Sequence, residues 1–348
     1  MTLRTQALRV GAALALTIAG MGAASVPAVA EDAVCATGGG YADPFYPGPG
    51  SSSPYDGNFA NGAPINASLI DGDYVPPGLA WWPNWNGTGT SALLITAYHD
   101  PDHDKVPDRT SAIFGLEMNG ASYVRGLGHV PIEGGHNGGI AVVGSWVYVA
   151  DGTSIRRYTA SSVATALAGA SPTTVLPSAG SQGVGRQASF LGGGNGSRIW
   201  VGTHDTDAES TMEAWDQSAT GALTESNVVR KVPAKTQGMV ETSTRFLFST
   251  SYGRNDRSNI WVTPKNITTS TYADGDDIRD ANSYCMRAPS MSEGMAIGAG
   301  RVWVNYEGGS HTYTGPTAGT DWSRNPIKHV HTVSSTYLAG RPIDIASD

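Results

Sequence analysis

The sequence predicts an all-β fold, a five-bladed β-propeller of four-stranded blades. Two observations carry this. A Gly- or Ala-led apolar stretch followed by a very apolar, aromatic-bearing strand occurs five times, around Gly78, Gly139, Ala188, Gly238 and Gly294. The steps between those anchors are 61, 49, 50 and 56 residues. A recurrence near 50 residues with strand-only content marks units that cannot bury their own faces and so stack into a closed ring. The second observation is 45 glycines in 348 residues, which suits many tight turns between short strands.

Within each unit the Gly-led segment is read as the innermost strand, A, and the aromatic-apolar one as strand B. Strand C is expected at Ser111–Met118, Ser154–Tyr158, Thr211–Trp215, Asn259–Val262 and His311–Thr314. Strand D is expected at Ser122–Pro131, Thr173–Leu176, Asn227–Val232, Tyr284–Ala288 and Ile327–Val333. The A–B turns carry hairpin residues such as Val143-Gly144-Ser145 and Gly298-Ala299-Gly300. Helical propensity is confined to Ala160–Gly169. Closing the ring falls to Tyr337–Ile345 or to part of the N-terminal arm, and the sequence leaves both open.

Three segments follow. Residues 1–30 read as a secretory signal peptide: Arg4 and Arg9 precede the apolar run Gly11–Met21, and Ala28-Val29-Ala30 offers a small-residue cleavage site. Residues 31–72 are a Gly/Pro/Ser-rich arm, and residues 73–348 form the propeller. The expected location is therefore extracellular. The leader holds two Arg and no acid, so residues 31–348 carry 20 basic and 30 acidic side chains, a net charge of −10. That balance disfavours nucleic acid and anionic lipid as partners, and no later stretch has the ~18 apolar residues of a spanning helix. A monomer is expected. Cys35 and Cys285 are the only cysteines, and in an oxidising compartment a lone pair is most simply a disulfide.

In a propeller the residues before strand A and after strand B meet at one rim of the central channel. The pre-A residues include His136-Asn137, Arg186-Gln187, Thr236-Gln237 and Ser292-Glu293. The post-B residues include Asp151, His204-Asp205, Tyr252 and Glu307. So dense a set of unlike polar groups predicts a site for a small molecule, glycan or protein ligand. Glu293, His136, His204 and Asp151 are the candidate catalytic groups, and Asn137, Gln187, Gln237, Asp205, Glu307 and Tyr252 the candidate binding groups. The competing reading is that these side chains only satisfy backbone groups of neighbouring blades. The cluster Trp81, Trp82, Trp85 is open to two readings, sugar stacking or packing between blades.

Glu293-Gly294, with Gln237-Gly238 and Asn137-Gly138 at matching positions, resembles the gluconolactonase-type propellers. That resemblance implies a divalent cation on the channel axis. A second motif is Asp100-Pro-Asp102-His-Asp104-Lys-Val-Pro-Asp108, whose carboxylates at positions 1, 3, 5 and 9 suit one Ca2+. It resembles the calcium loop of thrombospondin type 3 repeats, with Lys105 in place of that pattern's Gly. No G-x-S-x-G or H-E-x-x-H motif is present. The sequence thus points to a secreted, calcium-binding propeller acting as a hydrolase on a sugar, lactone or ester. The alternative is a non-catalytic secreted or cell-wall-associated protein that recognises a glycan or protein. Because the pre-A residues differ from blade to blade, one asymmetric site is favoured over a multivalent lectin.

Overall fold

The computed structural model describes residues 52–65, 69, 72–87, 89–102, 110–169, 173–193, 196–206, 208–254, 256–267, 283–314, 323 and 326–343. The signal-peptide segment and Cys35 lie outside them; Cys285 is buried on the outer strand of blade 4. Five four-stranded antiparallel sheets form the blades of the propeller. Blade 1 is β2 (Tyr74–Trp82), β3 (Ser91–His99), β4 (Thr110–Asn119) and β5 (Ser122–Glu133). Blade 2 is β6 (Ile140–Val143), β7 (Trp146–Asp151), β8 (Ser154–Thr159) and β9 (Gly180–Gly183). Blade 3 is β10 (Phe190–Gly193), β11 (Arg198–Gly202), β12 (Ser210–Gln217) and β13 (Leu223–Val232). Blade 4 is β14 (Thr236–Glu241), β15 (Arg245–Thr250), β16 (Ser258–Pro264) and β17 (Tyr284–Ala288).

Blade 5 contains β18 (Ser292–Gly298), β19 (Arg301–Tyr306) and β20 (His329–Ser334), and its outer strand is β1 (Ala60–Pro64) from the N-terminal arm. The ring is therefore latched by its own beginning. Ala60 pairs with Thr332, Asn61 with His331 and Pro64 with His329. Pro64 is tolerated because a blade's outer strand needs donors on one side only. The latch is pinned from within: the Tyr55 hydroxyl bridges the Tyr306 hydroxyl and the Nδ1 of His331, and the Tyr55 ring stacks on Phe59 at 3.9 Å. Burial holds His331 neutral, with its pKa pushed down to about 4.

This closure corrects the strand reading of blade 5. Residues His311–Thr314 form a short helix, not strand C. The chain's last strand fills position C, because β1 already occupies position D. In blade 2 the outer strand is Gly180–Gly183 rather than Thr173–Leu176. Leu176 instead donates its backbone N–H to Pro131 on the outer strand of blade 1. The expected helix is present as Ala160–Ala168, capped by the Thr159 hydroxyl.

The core lies between blades, where strand-B aromatics meet their neighbours. Trp200 packs edge-on against Phe246 of the next blade at 5.1 Å and donates its indole N–H to buried Glu241. Trp81 stacks on Trp303 of blade 5 at 6.0 Å, and Trp82 and Trp85 are buried in the blade 1–blade 2 core. The tryptophan cluster is thus inter-blade packing.

At the axis the innermost strands come backbone to backbone. A Cβ on Gly294 would lie 2.4 Å from the amide nitrogen of Leu79 and 2.8 Å from the Pro77 carbonyl. One on Gly238 would lie 2.5 Å from the Glu293 carbonyl, and one on Gly139 2.1 Å from the Leu191 nitrogen. The recurring glycine is there to let five strands crowd one narrow axis. Gly294→Ala should cost about 3 kcal/mol or more, because the clash is with backbone that cannot rotate away. Gly193→Ala, on an inner strand with open space at its Cβ, should stay within about 0.5 kcal/mol. Denaturant unfolding of the two variants checks this, and equal losses would refute it.

Candidate functional site

The register of the inner strands aims the site. In β14 the pairing slips between Thr236 and Gly238, in β18 between Ser292 and Met295, and in β2 between Val75 and Gly78. Each slip inserts one extra residue, a bulge that redirects side chains next to it. The residues in the slips are Pro76-Pro77, Gln237 and Glu293-Gly294, and Pro77, Gln237 and Glu293 line one cavity of about 380 Å³ at the channel mouth.

All five blades contribute to that cavity. Besides those three, it is lined by Tyr98, His136, Gly138, Gly152, Gln187, Ala188, Ser189, His204, Glu307 and Tyr313. Of the expected site residues, the structure brings together Glu293, Glu307, His136, His204, Gln187 and Gln237. Asn137, Asp151, Asp205 and Tyr252 do not line it. Asn137 is fully buried, donates to the Gly135 carbonyl and accepts the Thr96 hydroxyl on its own carbonyl. Asp151 is paired with Arg156. Asp205 accepts the Ala208 amide, and the Tyr252 ring lies 5.0 Å under the Lys235 ammonium.

Several of these polar groups tie blades together. Thr96 of blade 1 donates to Asn137 of blade 2, and the Ala188 amide of blade 3 to Gly152 of blade 2. The His204 imidazole of blade 3 meets the Thr236 carbonyl of blade 4 at 3.3 Å. Ser249 of blade 4 donates to Ser292 of blade 5, and Asn305 of blade 5 to Pro76 of blade 1. His204 therefore serves both the ring and the cavity wall.

The chemistry concentrates in blade 5. Glu293 is 3% exposed and Glu307, at the start of a one-turn 3-10 helix, is 8% exposed. Burial pushes the Glu293 carboxyl well above the usual range and the nearby Glu307 charge adds to this, against hydrogen bonds from Ser251 and Gln237. Burial also lifts Glu307 to about 8. Tyr98 and Tyr313 share a hydrogen bond beside this pair, and burial first, then the Glu307 charge, keeps both phenols protonated. The His136 ring sits 4.8 Å from that of Tyr98 at the solvent-open rim, and partial desolvation lowers its pKa. Burial, with the Lys235 charge, lowers that of His204 too.

Tyr313 carried no sequence signal, because the helix bearing it reads as a strand. It is held from blade 1. His311 pairs with Asp73 at 2.8 Å, and Thr312 donates to the buried Asp100 carboxylate at 3.1 Å. Asp100, expected as a calcium ligand, thus anchors the strap that carries Tyr313. Asp102 is exposed, and Asp104 and Asp108 lie outside the described residues. Among the described residues no three of His, Cys, Asp and Glu gather as metal ligands. No helix of the described residues is long and apolar enough to cross a membrane. No protein-family model matches the sequence, and no curated protein matches it, so the two resemblances rest on their short motifs alone.

The raised Glu307 pKa has a signed consequence. An acid whose folded pKa exceeds its unfolded value of about 4.3 binds its proton more tightly when folded. Its contribution to stability is then unpenalised below pH 4.3 and falls as pH rises to about 8. Glu307→Gln should match the wild-type melting temperature near pH 4 and exceed it increasingly up to pH 8. A difference that does not change with pH, measured by calorimetry, would sink this assignment.

Proposed function

We propose that the chain is an extracellular hydrolase acting on a small sugar, lactone or ester at the channel mouth, with Glu293 and Glu307 as its acid–base pair. The observation that supports this is two buried carboxyls lining one small-molecule-sized cavity, where burial raises the Glu293 pKa and lifts that of Glu307 to about 8. When two like groups share a site, the first ionisation opposes the second, so one supplies a proton while the other accepts one. In that arrangement the protonated carboxyl donates its proton to the leaving oxygen as its bond to carbon breaks. The ionised partner takes a proton from the water whose oxygen forms the new bond to that carbon. The Tyr98–Tyr313 pair offers neutral hydrogen-bond donors beside the reacting oxygen, and neutral His136 stands at the entrance as an alternative base.

The test is turnover by the secreted chain on chromogenic glycosides, lactones and esters, with Glu293→Gln and Glu307→Gln as variants. Each should lose about 10²–10⁴-fold in kcat while keeping its fold by circular dichroism. Full turnover in both variants would place the chemistry elsewhere. The use of Asn137, Asp151 and His204 in ring ties and ion pairs favours the second reading, a binding protein for a glycan or protein. Ligand binding without turnover on any of the three classes would select it.

A Ca2+ ion held by the 100–108 loop remains part of the proposal, supported by the carboxylate spacing. Chelation should then lower the melting temperature, the stability lost being the mass-action amount, about 2.7 kcal/mol from Ca2+ at 100 times the dissociation constant. Asp102→Ala with Asp104→Ala should remove that response; an unchanged melting curve in chelator would refute it. The Cys35–Cys285 disulfide is proposed on the same footing, from the lone pair of cysteines.

A further inference from the structure

Among its described lining residues the channel-mouth cavity carries no lysine or arginine. Glu293 and Glu307 line it from within the protein, and among the described residues neither has a Lys or Arg partner. Glu293 accepts from Ser251 and Gln237, whereas no described side chain donates to Glu307. Three basic side chains near the rim are paired away from the cavity: Lys235 over Tyr252, Arg186 on Glu213, Arg156 on Asp151 and Glu133.

Two buried carboxyls without a counter-charge are costly, and the cost falls when a cation enters. A hard divalent ion takes about six or more oxygen donors, and of the described lining side chains only Glu293 and Glu307 offer anionic ones. An organic cation asks less of geometry and gains from aromatic faces. Tyr98, Tyr313 and the exposed His136 ring supply those faces at the same cavity. Its volume of about 380 Å³ lies at the small end of ligand pockets, the size of one ring with substituents. Gln187, Gln237 and Ser189 add hydrogen-bonding groups for hydroxyls.

We propose that this cavity selects a ligand bearing a protonated amine, an amino sugar, whose ammonium supplies the missing counter-charge to Glu293 and Glu307. This rests on the site and substrate class proposed above and narrows them: neutral sugars bind more weakly and uronic acids are rejected. A proton follows from the same geometry. The groups facing the pair are Tyr98 and Tyr313, which stay neutral, and the two neutral imidazoles, with Asp100 behind the tyrosines. None of them supplies a cation, so an arriving ammonium favours the ionised form of Glu307, and its binding expels a proton to solvent.

Isothermal titration of the wild-type protein at pH 6.5 with glucosamine, N-acetylglucosamine and glucose, in two buffers of different ionisation heat, tests both parts. Glucosamine should bind about tenfold or more tighter than the other two and release a proton, since tenfold is the effect of a modest buried ion pair. Glu307→Gln should bring glucosamine close to glucose. Equal affinities, no binding of glucosamine, or binding without proton release would each overturn the inference. Amine preference without turnover on any substrate would remove the hydrolase reading alone. Turnover on neutral sugars without amine preference would remove this one alone.

Discussion

Everything in this molecule depends on how closely five inner strands can approach one axis. With five blades the ring is narrow, and the strands meet backbone to backbone at Gly139, Gly238 and Gly294, where any Cβ would overlap a neighbouring main chain. That contact gives little attraction of its own. Its importance is permissive: only when the inner edges close do the strand-B aromatics, such as Trp200 on Phe246 and Trp81 on Trp303, reach the next blade. The large apolar burial that stabilises the fold is conditional on a small steric allowance at its centre.

The same crowding produces the site. An inner strand that must present glycine at the tightest point and a polar side chain one residue earlier fits that pair into its sheet with an extra residue, and the slips in β14 and β18 supply it. Glu293 and Gln237 enter the channel mouth because Gly294 and Gly238 occupy the axis beside them. A bulge is where a sheet can re-aim a side chain without unfolding. Packing and site share residues, and the glycine and the acid are one structural unit.

Much of this was legible in the sequence, for reasons that can be named. The blade count followed from the five Gly- or Ala-led strands, because close approach at the axis leaves room for only a small residue, as at Gly139, Gly238 and Gly294. Six of the expected rim residues line one cavity, because strand ends in a propeller converge whatever their identity. The latch was half legible: the arm was one of two candidates for closing the ring, but its strand Ala60–Pro64 was not, since an edge strand held by one neighbour needs neither apolar alternation nor strand formers. Nor was Tyr313, because its placement comes from Asp73 and Asp100, more than 200 residues away, gripping His311 and Thr312. Local pattern cannot report a bond whose partner is that distant. For the same reason His204 reads as a proton-transfer candidate in the sequence and as a blade tie in the structure.

The strap over blade 1 links the latch to the chemistry. Blade 5 takes its outer strand from the start of the chain, so its B–C connection is released from strand pairing and folds as a helix against Asp100. That helix delivers Tyr313 to Tyr98 and closes the wall beside Glu307, which sits at the start of the same connection. Glu307 is therefore walled in beside a helix that is free to form because β1 fills the outer strand of blade 5. A change that loosens β1 should reach the site through this path, by admitting water to Glu307 before any blade unfolds. In Tyr55→Phe, which removes the hydroxyl shared by Tyr306 and His331, the expected sign is a Glu307 pKa closer to the ordinary carboxylate range, read by carboxyl NMR titration. An unmoved Glu307 in a destabilised Tyr55→Phe would show instead that the site is insulated from the closure that builds it.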